Sequence, residues 1–322
     1  MAETTAYQED LSPGSLITRD GQIQWAGLLL GPGTPFPVDR AGISGWDDLP
    51  GIDVGDVPRP DQHGSWPGSR WAQPRLIDAT VWLLPPSRDE ARATLREFRA
   101  GTGLDGAERW LAVRLHGETL AVRARISRRV VPQDRSFVLS GTSKTSLQWT
   151  ATDPRRFGAD EQRARTGLPA PEPGLDWHPG ASEDGPGDGP DGPGSGLGWP
   201  LDWGTAGTNG SLTAVNSGDT AAHPLIEFRG PVRRPSLTRL SDGRRLQYDI
   251  TLAADDVLTV DTWTGTVVLN DTASRLYTAT AASAPEQLFL LEPGETALAF
   301  RSEDTAPDPA ARATVRWRHS HW

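Results

Sequence analysis

A run of 15 residues, Asp184 to Gly198 (DGPGDGPDGPGSGLG), constrains this chain more than any other stretch. Proline removes a backbone donor and glycine carries the largest ordering entropy, so neither a helix nor a ladder persists through it. Only Leu197 in the run has a side chain suited to a core. The wider stretch Leu168–Gly204 holds 10 Gly and 8 Pro in 37 residues, which is long for a loop inside one compact domain. It reads as a boundary, giving a domain at 1–166, a linker at 167–205 and a second domain at 206–322. Trp177, Trp199 and Trp203 sit in or beside that linker, and indole rings seldom face water without a use. They are expected to pin its flanks to a domain surface.

A chain of 322 residues has room for two ordinary domains, in agreement with that cut. No apolar run approaches the roughly 20 residues needed to span a bilayer, and the opening MAETTAYQEDLSPGS has no basic or apolar region of a signal peptide. The expectation is a chain with neither membrane segment nor leader. Cysteine is absent, which excludes disulfides, thiolate metal sites and cysteine nucleophiles together. A formal charge of −10 argues against nucleic-acid binding through a broad basic patch, and acidic walls let DNA slide past instead of holding it. Lys144 is the only lysine beside 31 arginines, which reads as the codon bias of a GC-rich genome.

In the first half, Gln22–Leu30 reads as a strand stopped by Gly31-Pro32-Gly33. Residues 35–70 are rich in Gly, Pro and Asp and poor in core-forming side chains, as in an irregular arm, and His63–Gly68 (HGSWPG) is a turn-rich loop at its end. Within Trp71–Leu84 a strand places Ile77, Ala79, Val81 and Leu83 on one apolar face, opposite Leu76, Asp78, Thr80 and Trp82. Ser87-Arg88-Asp89-Glu90 is a capping box. Ala91, Leu95 and Phe98 then mark one short amphipathic helix with Gly101 as its left-handed cap. Strands are expected at 108–115, 119–131 and 136–150. Arg123, Arg125, Arg128 and Arg129 make the middle strand cationic, which reads as a solvated or intersubunit face.

After the linker the period is two throughout. Strands are expected at 211–216, 223–229, 236–240, 245–252, 257–260, 265–269, 274–280, 287–291, 296–301 and 311–317. About ten short strands at this spacing, with no helix, indicate an antiparallel β-sandwich. The fold class is therefore mainly β.

Little in the sequence carries chemistry. His319 and His321 share a strand face, but no third metal ligand is suggested. The linker aspartates lack the oxygen pattern of a calcium loop, and Gly141-Thr142-Ser143-Lys144 lacks the glycines of a nucleophile elbow. No phosphate-cradling loop occurs and no carboxylate pair stands out. The chain reads as a non-enzyme with no catalytic residue, cofactor or metal.

Four segments together carry a resemblance. They are HGSWPG with the strand Pro74–Val81; Ala151–Phe157 (ATDPRRF); Asn216–Thr220 (NSGDT) with His223–Gly230 (HPLIEFRG); and Leu290–Phe300 (LLEPGETALAF) with the closing strand Ala313–Trp317. In this order and spacing the chain resembles the distal tail proteins of long-tailed, siphovirus-type bacteriophages, the hub between tail tube and tip or baseplate.

That resemblance implies an N-terminal β-sandwich with one helix and an extended arm that clasps the neighbouring subunit. Six copies then form a ring around a channel through which DNA leaves. Trp46, Trp66, Trp71 and Arg75 become candidate intersubunit contacts. The C-terminal sandwich is galectin-like or carbohydrate-module-like, and Trp263 is its candidate outward contact. Implied partners are further copies of the chain, a tail tube protein, a tail tip protein, and receptor-binding proteins or surface glycans. The implied location is the virion, after synthesis in the host cytoplasm. The alternative function is recognition of host cell-surface glycans. A secreted glycoside hydrolase is disfavoured by the missing leader and missing acid/base pair.

Overall fold

The computed structural model describes residues 11–104, 106–170, 207–306 and 308–322. The chain forms two compact units, one of residues 1–162, 217–221 and 318–322, the other of 163–216 and 222–317.

The first unit opens with β1 (Ile23–Trp25) and β2 (Leu28–Leu30). The sequence suggested one strand here, but the chain reverses at Ala26, whose φ is +50°. The hairpin lets Ile23, Trp25, Leu28 and Leu30 all reach one core. The chain continues through β3 (Val38–Ser44), β4 (Ile52–Val54), β5 (Val57–Pro58), β6 (Ser65–Trp66), β7 (Arg70–Ala72) and β8 (Arg75–Leu83). Then follow α1 (Ala91–Gly101), β9 (Arg109–Leu115), β10 (Glu118–Val130), α2 (Arg135–Ser140), β11 (Ser143–Ala151) and β12 (Arg156–Gly158). The main sheet runs β2-β1-β9-β10-β11-β8-β3, and β12 also pairs with β10.

β10 serves two neighbours in turn. Residues 118–124 pair with β9 and residues from 125 onward with β11, with a break in register between Ile126 and Arg128. A bulge of this kind bends the strand and folds the sheet over its own core. The expected apolar face of β8 is there: Ile77, Ala79, Val81 and Leu83 are buried together with Leu147 and Trp149 of β11.

Phe98 of α1 packs on Phe36, ring centroids 5.6 Å apart. Only half of the expected capping box forms: Glu90 N–H donates to Ser87 Oγ at 3.3 Å, but the Glu90 carboxylate accepts from the Ser87 hydroxyl at 2.8 Å in place of its amide, and the helix begins after Glu90. Gly101, however, is the last helical residue and not a left-handed cap. A Cβ there would lie 3.2 Å from Leu28, so close packing is what calls for glycine. Arg129 closes the helix instead, donating to the carbonyls of Arg99 and Thr102 at 3.0 and 2.8 Å. The strand expected from Ser136 begins only at Ser143, because Asp134 accepts from Phe137 N–H and Gly141 adopts φ +75°, enclosing the six-residue helix α2.

The second unit contains β13 (Gln162–Gly167), β14 (Ser211–Asn216), β15 (Leu225–Arg229), β16 (Val232–Arg233), β17 (Ser236–Arg239) and β18 (Arg245–Gln247). It continues with β19 (Thr251–Leu252), β20 (Val257–Asp261), β21 (Thr266–Leu269), β22 (Ala273–Ser274), β23 (Gly294–Arg301) and β24 (Arg312–Trp317). One sheet runs β13-β24-β15-β20-β21-β22 and the other β14-β23-β17-β18, with β16 and β19 paired alongside. Phe228, Leu258 and Val315 of the first sheet share one core with Leu212, Leu237 and Phe300 of the second. The strands expected at 274–280 and 287–291 are mostly 3-10 turns, at Leu276–Thr278 and Glu286–Leu288. The second of these turns places the buried Glu286 under the Tyr248 hydroxyl, which donates to it at 3.0 Å. The last strand, β25 (Ser320–His321), pairs with β12 and so belongs to the first unit.

The stretch that the sequence suggested as a domain boundary begins and ends inside the second unit. Ala170 N–H donates to Thr208 O at 2.8 Å and Thr208 N–H to Ala170 O at 3.1 Å, so the chain leaves and returns at one bridge. Residues 171–206, with Trp177, Trp199 and Trp203, lie outside the described residues. The passage from one unit to the other falls at Gln162/Arg163. Replacing 171–206 by a four-residue Gly/Ser turn is therefore expected to leave the fold intact. Shortening the closed loop removes an entropy cost of about 2 kcal/mol at most. The melting temperature should stay level or rise, and a large fall in calorimetry would show that the segment is structurally required.

Candidate functional site

The described residues hold no group of three His, Cys, Asp or Glu side chains placed to bind a metal. The most unusual feature is a protruding ribbon in the first unit. β4 pairs with β7 and β5 with β6, making one hairpin across residues 51–73. Gly55 N–H donates to Ser69 O at 2.9 Å and Arg59 N–H to Gly64 O at 3.2 Å, carrying the ladder to the tip. The expected HGSWPG loop is this tip and its return strand, with Gly64 at φ +92°. Arg59 stacks over Trp66 with its guanidinium 4.3 Å from the ring. Ile52, Val54, Val57, Trp66 and Trp71 are all exposed, Trp66 by 58% and Trp71 by 71%.

The base of the ribbon is held by Arg75, the first residue of β8, which is 1% exposed. Its Nε donates to Pro154 O at 2.7 Å, and its Nη1 reaches the carbonyls of Gly45, Trp46 and Asp48 at 3.0, 2.9 and 2.5 Å. One guanidinium thus ties together the segment that leads into the ribbon, the strand that leaves it, and the turn after β11. Burial, and then the charge of Arg156, push the Arg75 pKa down, opposed by Asp47 and Asp48. Gly45, at φ +76°, has room for nothing larger, since a Cβ would lie 1.9 Å from Leu76 O.

The ATDPRRF motif builds the other side of this junction. Asp153 and Arg155 form a buried pair, with Nη2 to Oδ2 at 2.6 Å and Nε to Oδ1 at 2.9 Å. Arg155 Nη1 also donates to Ala221 O at 2.9 Å. Arg156 pairs with Asp47 and reaches Trp322 O through Nε at 3.1 Å. Residues 217–221 and 318–322 close the site. Asp219 N–H donates to Ser320 O at 3.0 Å, and Trp322 N–H to Asp219 Oδ1 at 2.9 Å. Gly218 is required there, because a Cβ would stand 1.9 Å from Ser320 O.

The residues singled out from the sequence therefore separate. Trp66 and Trp71 stand exposed on the ribbon, whereas Trp46 is 3% exposed and packed in its own unit's core. Arg75 is likewise interior and holds the ribbon from beneath. Trp46 and Arg75 thus have no free surface to offer another subunit. Of the arm expected at 35–70, β3 is a sheet strand paired with β8, and only the hairpin projects. In the second unit Trp263 is 49% exposed and braced edge-on by His223, centroids 5.1 Å apart. Its turn is fixed by Asp261 Oδ1, which accepts from Trp263 N–H at 2.8 Å and Thr264 N–H at 3.1 Å. Sequence reading missed α2, whose signals were Asp134 and Gly141 on either side of an apolar turn.

Residues 217–321 match the family model described as siphovirus-type tail component, C-terminal domain. The whole fold is similar to the crystal structure of the phage SPP1 Dit protein, described as a paradigm of the hub adsorption apparatus in phages infecting Gram-positive bacteria. Identity is 13%, the match covers 88% of this chain and 93% of that one, and the TM-score is 0.56. A chain of the phage p2 baseplate in its activated conformation with strontium matches at 10% identity, over 92% and 96% of the two chains, with a TM-score of 0.50. No curated protein matches the chain in sequence. The C-terminal part of the chain thus resembles siphovirus-type tail component domains. The mainly β fold of the whole is that of a distal tail protein, which bears out the resemblance seen in the sequence.

Two side chains give direct tests. Replacing Arg75 by Met leaves four carbonyls without their donor and should cost about 3 kcal/mol or more. Lysine should restore only part of this, lacking the planar fork. Denaturant unfolding of both variants measures the difference. His319 Nδ1 accepts from Ser217 N–H at 3.1 Å, and burial, then the neighbouring His321, lowers its pKa below the ordinary histidine value of 6.5. Below pH 6.5 the unfolded chain binds the proton first, so this contribution is full above that pH and lost as pH falls. His319→Asn, which keeps an acceptor and does not titrate, should flatten the fall in stability between pH 7 and 5.

Proposed function

We propose that this chain is the structural hub of a phage tail tip, a closed ring of identical subunits that joins the tail tube to tip or baseplate proteins. The observation that carries the reading is the exposed, apolar ribbon 51–73, held by Arg75 on a chain with the Dit fold. An isolated two-stranded hairpin is marginal in water, and five large apolar side chains on it call for a covering surface. A neighbouring subunit in the ring supplies that surface, with Trp66 and Trp71 as the anchors. Six subunits, as in the resemblance, leave a lumen through which DNA passes without sequence-specific contact. The partners are then other copies of the chain, a tube protein on one side and a tip protein on the other. The work is assembly and conduction without catalysis, in a virion whose parts are made in the host cytoplasm.

The test is the solution mass of the full chain beside a variant in which 52–72 is replaced by two glycines, by light scattering behind size exclusion. A hexamer that falls to monomer on losing the ribbon is the expected result. A monomer in both cases at high concentration would reject the hub. A second reading, glycan recognition, is favoured by the braced and half-exposed Trp263 alone. Loss of glycan-array signal in Trp263→Ala full-length protein would support it, and silence of the parent protein would dismiss it.

A further inference from the structure

In a closed ring each subunit contributes two different surfaces, one that is offered and one that receives. The ribbon is the first. The second must be sought among the exposed apolar side chains elsewhere on the same unit. Leu76 stands on the outer face of β8 between polar neighbours, and Leu104 in the α1–β9 connection lines a cavity with Trp25, Ala107 and Ile126 of its own unit. Leu49 adjoins the ribbon itself, and of the remaining exposed sites among the described residues, Val130, Trp322 and α2, it is α2 that sets two apolar side chains side by side. Val138 is 74% exposed and Leu139 52%, and Leu84 is exposed at the adjoining end of β8. Gly141, which ends α2, fits between Pro85 and Ala91, where a Cβ would lie 3.2 Å from Pro85 Cγ and 2.5 Å from Ala91 Cβ. The end of α2 is thereby fixed beside Leu84 and the prolines that follow it.

The helix itself is unusual in having no buried residue. One and a half turns do not persist on intrinsic propensity. This one is held by a cap at each end, with Phe137 N–H donating to Asp134 Oδ1 and Gly141 N–H to Phe137 O, both at 2.9 Å. Its apolar residues contribute nothing to the core of their own unit. The ribbon's five apolar side chains expose on the order of 500 Å², at the upper end of what monomers leave uncovered. A stable contact buries about 800 Å² per partner, so the ribbon needs a receiving surface that is apolar at its centre.

We infer that α2, with Leu84 and Pro85, is the receiving surface, and that its occupant is the ribbon 51–73 of a second copy of this chain. The inference rests on the hub reading and specifies where the neighbouring subunit docks. Because the chain has no cysteine, it can be mapped by crosslinking without background. Ser65→Cys or Ser69→Cys on the ribbon would be combined with Ser136→Cys or Ser140→Cys on α2, in four double variants of the full chain. These are exposed serines, so the tryptophans, Val138 and Leu139 remain in place.

On oxidation at least one pair should give a ladder of disulfide-linked oligomers on a non-reducing gel, and the single-cysteine variants should give none beyond dimer. Val138→Asp with Leu139→Asp should convert the ring to monomer at concentrations where the parent is fully assembled. A ring of unchanged mass with no ladder from any pair would overturn the docking surface and leave the hub reading standing. So would a Val138→Asp/Leu139→Asp ring of full mass, and its failure to capture a tube or tip protein would then assign α2 to an axial partner. A chain that never oligomerises would reject the hub reading itself, and this inference with it.

Discussion

The first unit depends on a buried positive charge without a carboxylate in contact. Arg75 donates through Nε and Nη1 to backbone carbonyls of residues 45, 46, 48 and 154, while its Nη2 is buried without a hydrogen-bond partner, so its energy comes from oriented dipoles and not from an ion pair. The arrangement works in both directions. Two of the three guanidinium nitrogens are compensated for burial, and the carbonyls of a tight turn receive donors that no ladder supplies. Because Arg75 follows the ribbon and three of its acceptors, at 45, 46 and 48, precede it, a single side chain fixes where the ribbon leaves the sheet. The Asp153–Arg155 pair and Arg156 surround this junction, which makes the ATDPRRF motif a structural device at the root of the ribbon.

Charge is distributed in a way that suits this division of labour. Residues 171–206 carry seven of the 42 carboxylates and no lysine or arginine. By unit, residues 1–162, 217–221 and 318–322 carry 20 basic and 22 acidic side chains, whereas 163–216 and 222–317 carry 12 and 20, so the unit with the ribbon is nearly neutral and the second holds most of the net charge.

Much of this was legible in the sequence. Alternation along Ile77–Leu83 and at Leu298 and Phe300 marked the buried faces correctly, because one face of each strand meets a core and the other does not. The ribbon was legible only as an absence of core residues in a Gly- and Pro-rich stretch. Trp46 and Trp66 look alike in such a stretch, and only the fold puts one inside and the other outside. Turn chemistry was the weaker guide. Ala26 in a left-handed conformation hid the β1–β2 hairpin, and Asp134 with Gly141 made a helix from an apolar run that resembles a strand. The composition of residues 168–204 suggested a boundary because composition records how a segment folds and not where its two ends meet. The Ala170–Thr208 bridge depends on strands that lie far away in sequence.

The pairing of β25 with β12 has a consequence for how the chain is made. Residues 318–322 are synthesised after all of the second unit, yet they complete the sheet of the first. Domains generally fold in order of synthesis. Here the N-terminal unit emerges from the ribosome with an unpaired edge at β12 and with Arg156 lacking its carbonyl acceptor at Trp322. The unit that carries the ribbon is closed only when translation has passed residue 322. A chain interrupted before residue 318 would display the ribbon without the finished sheet beneath it.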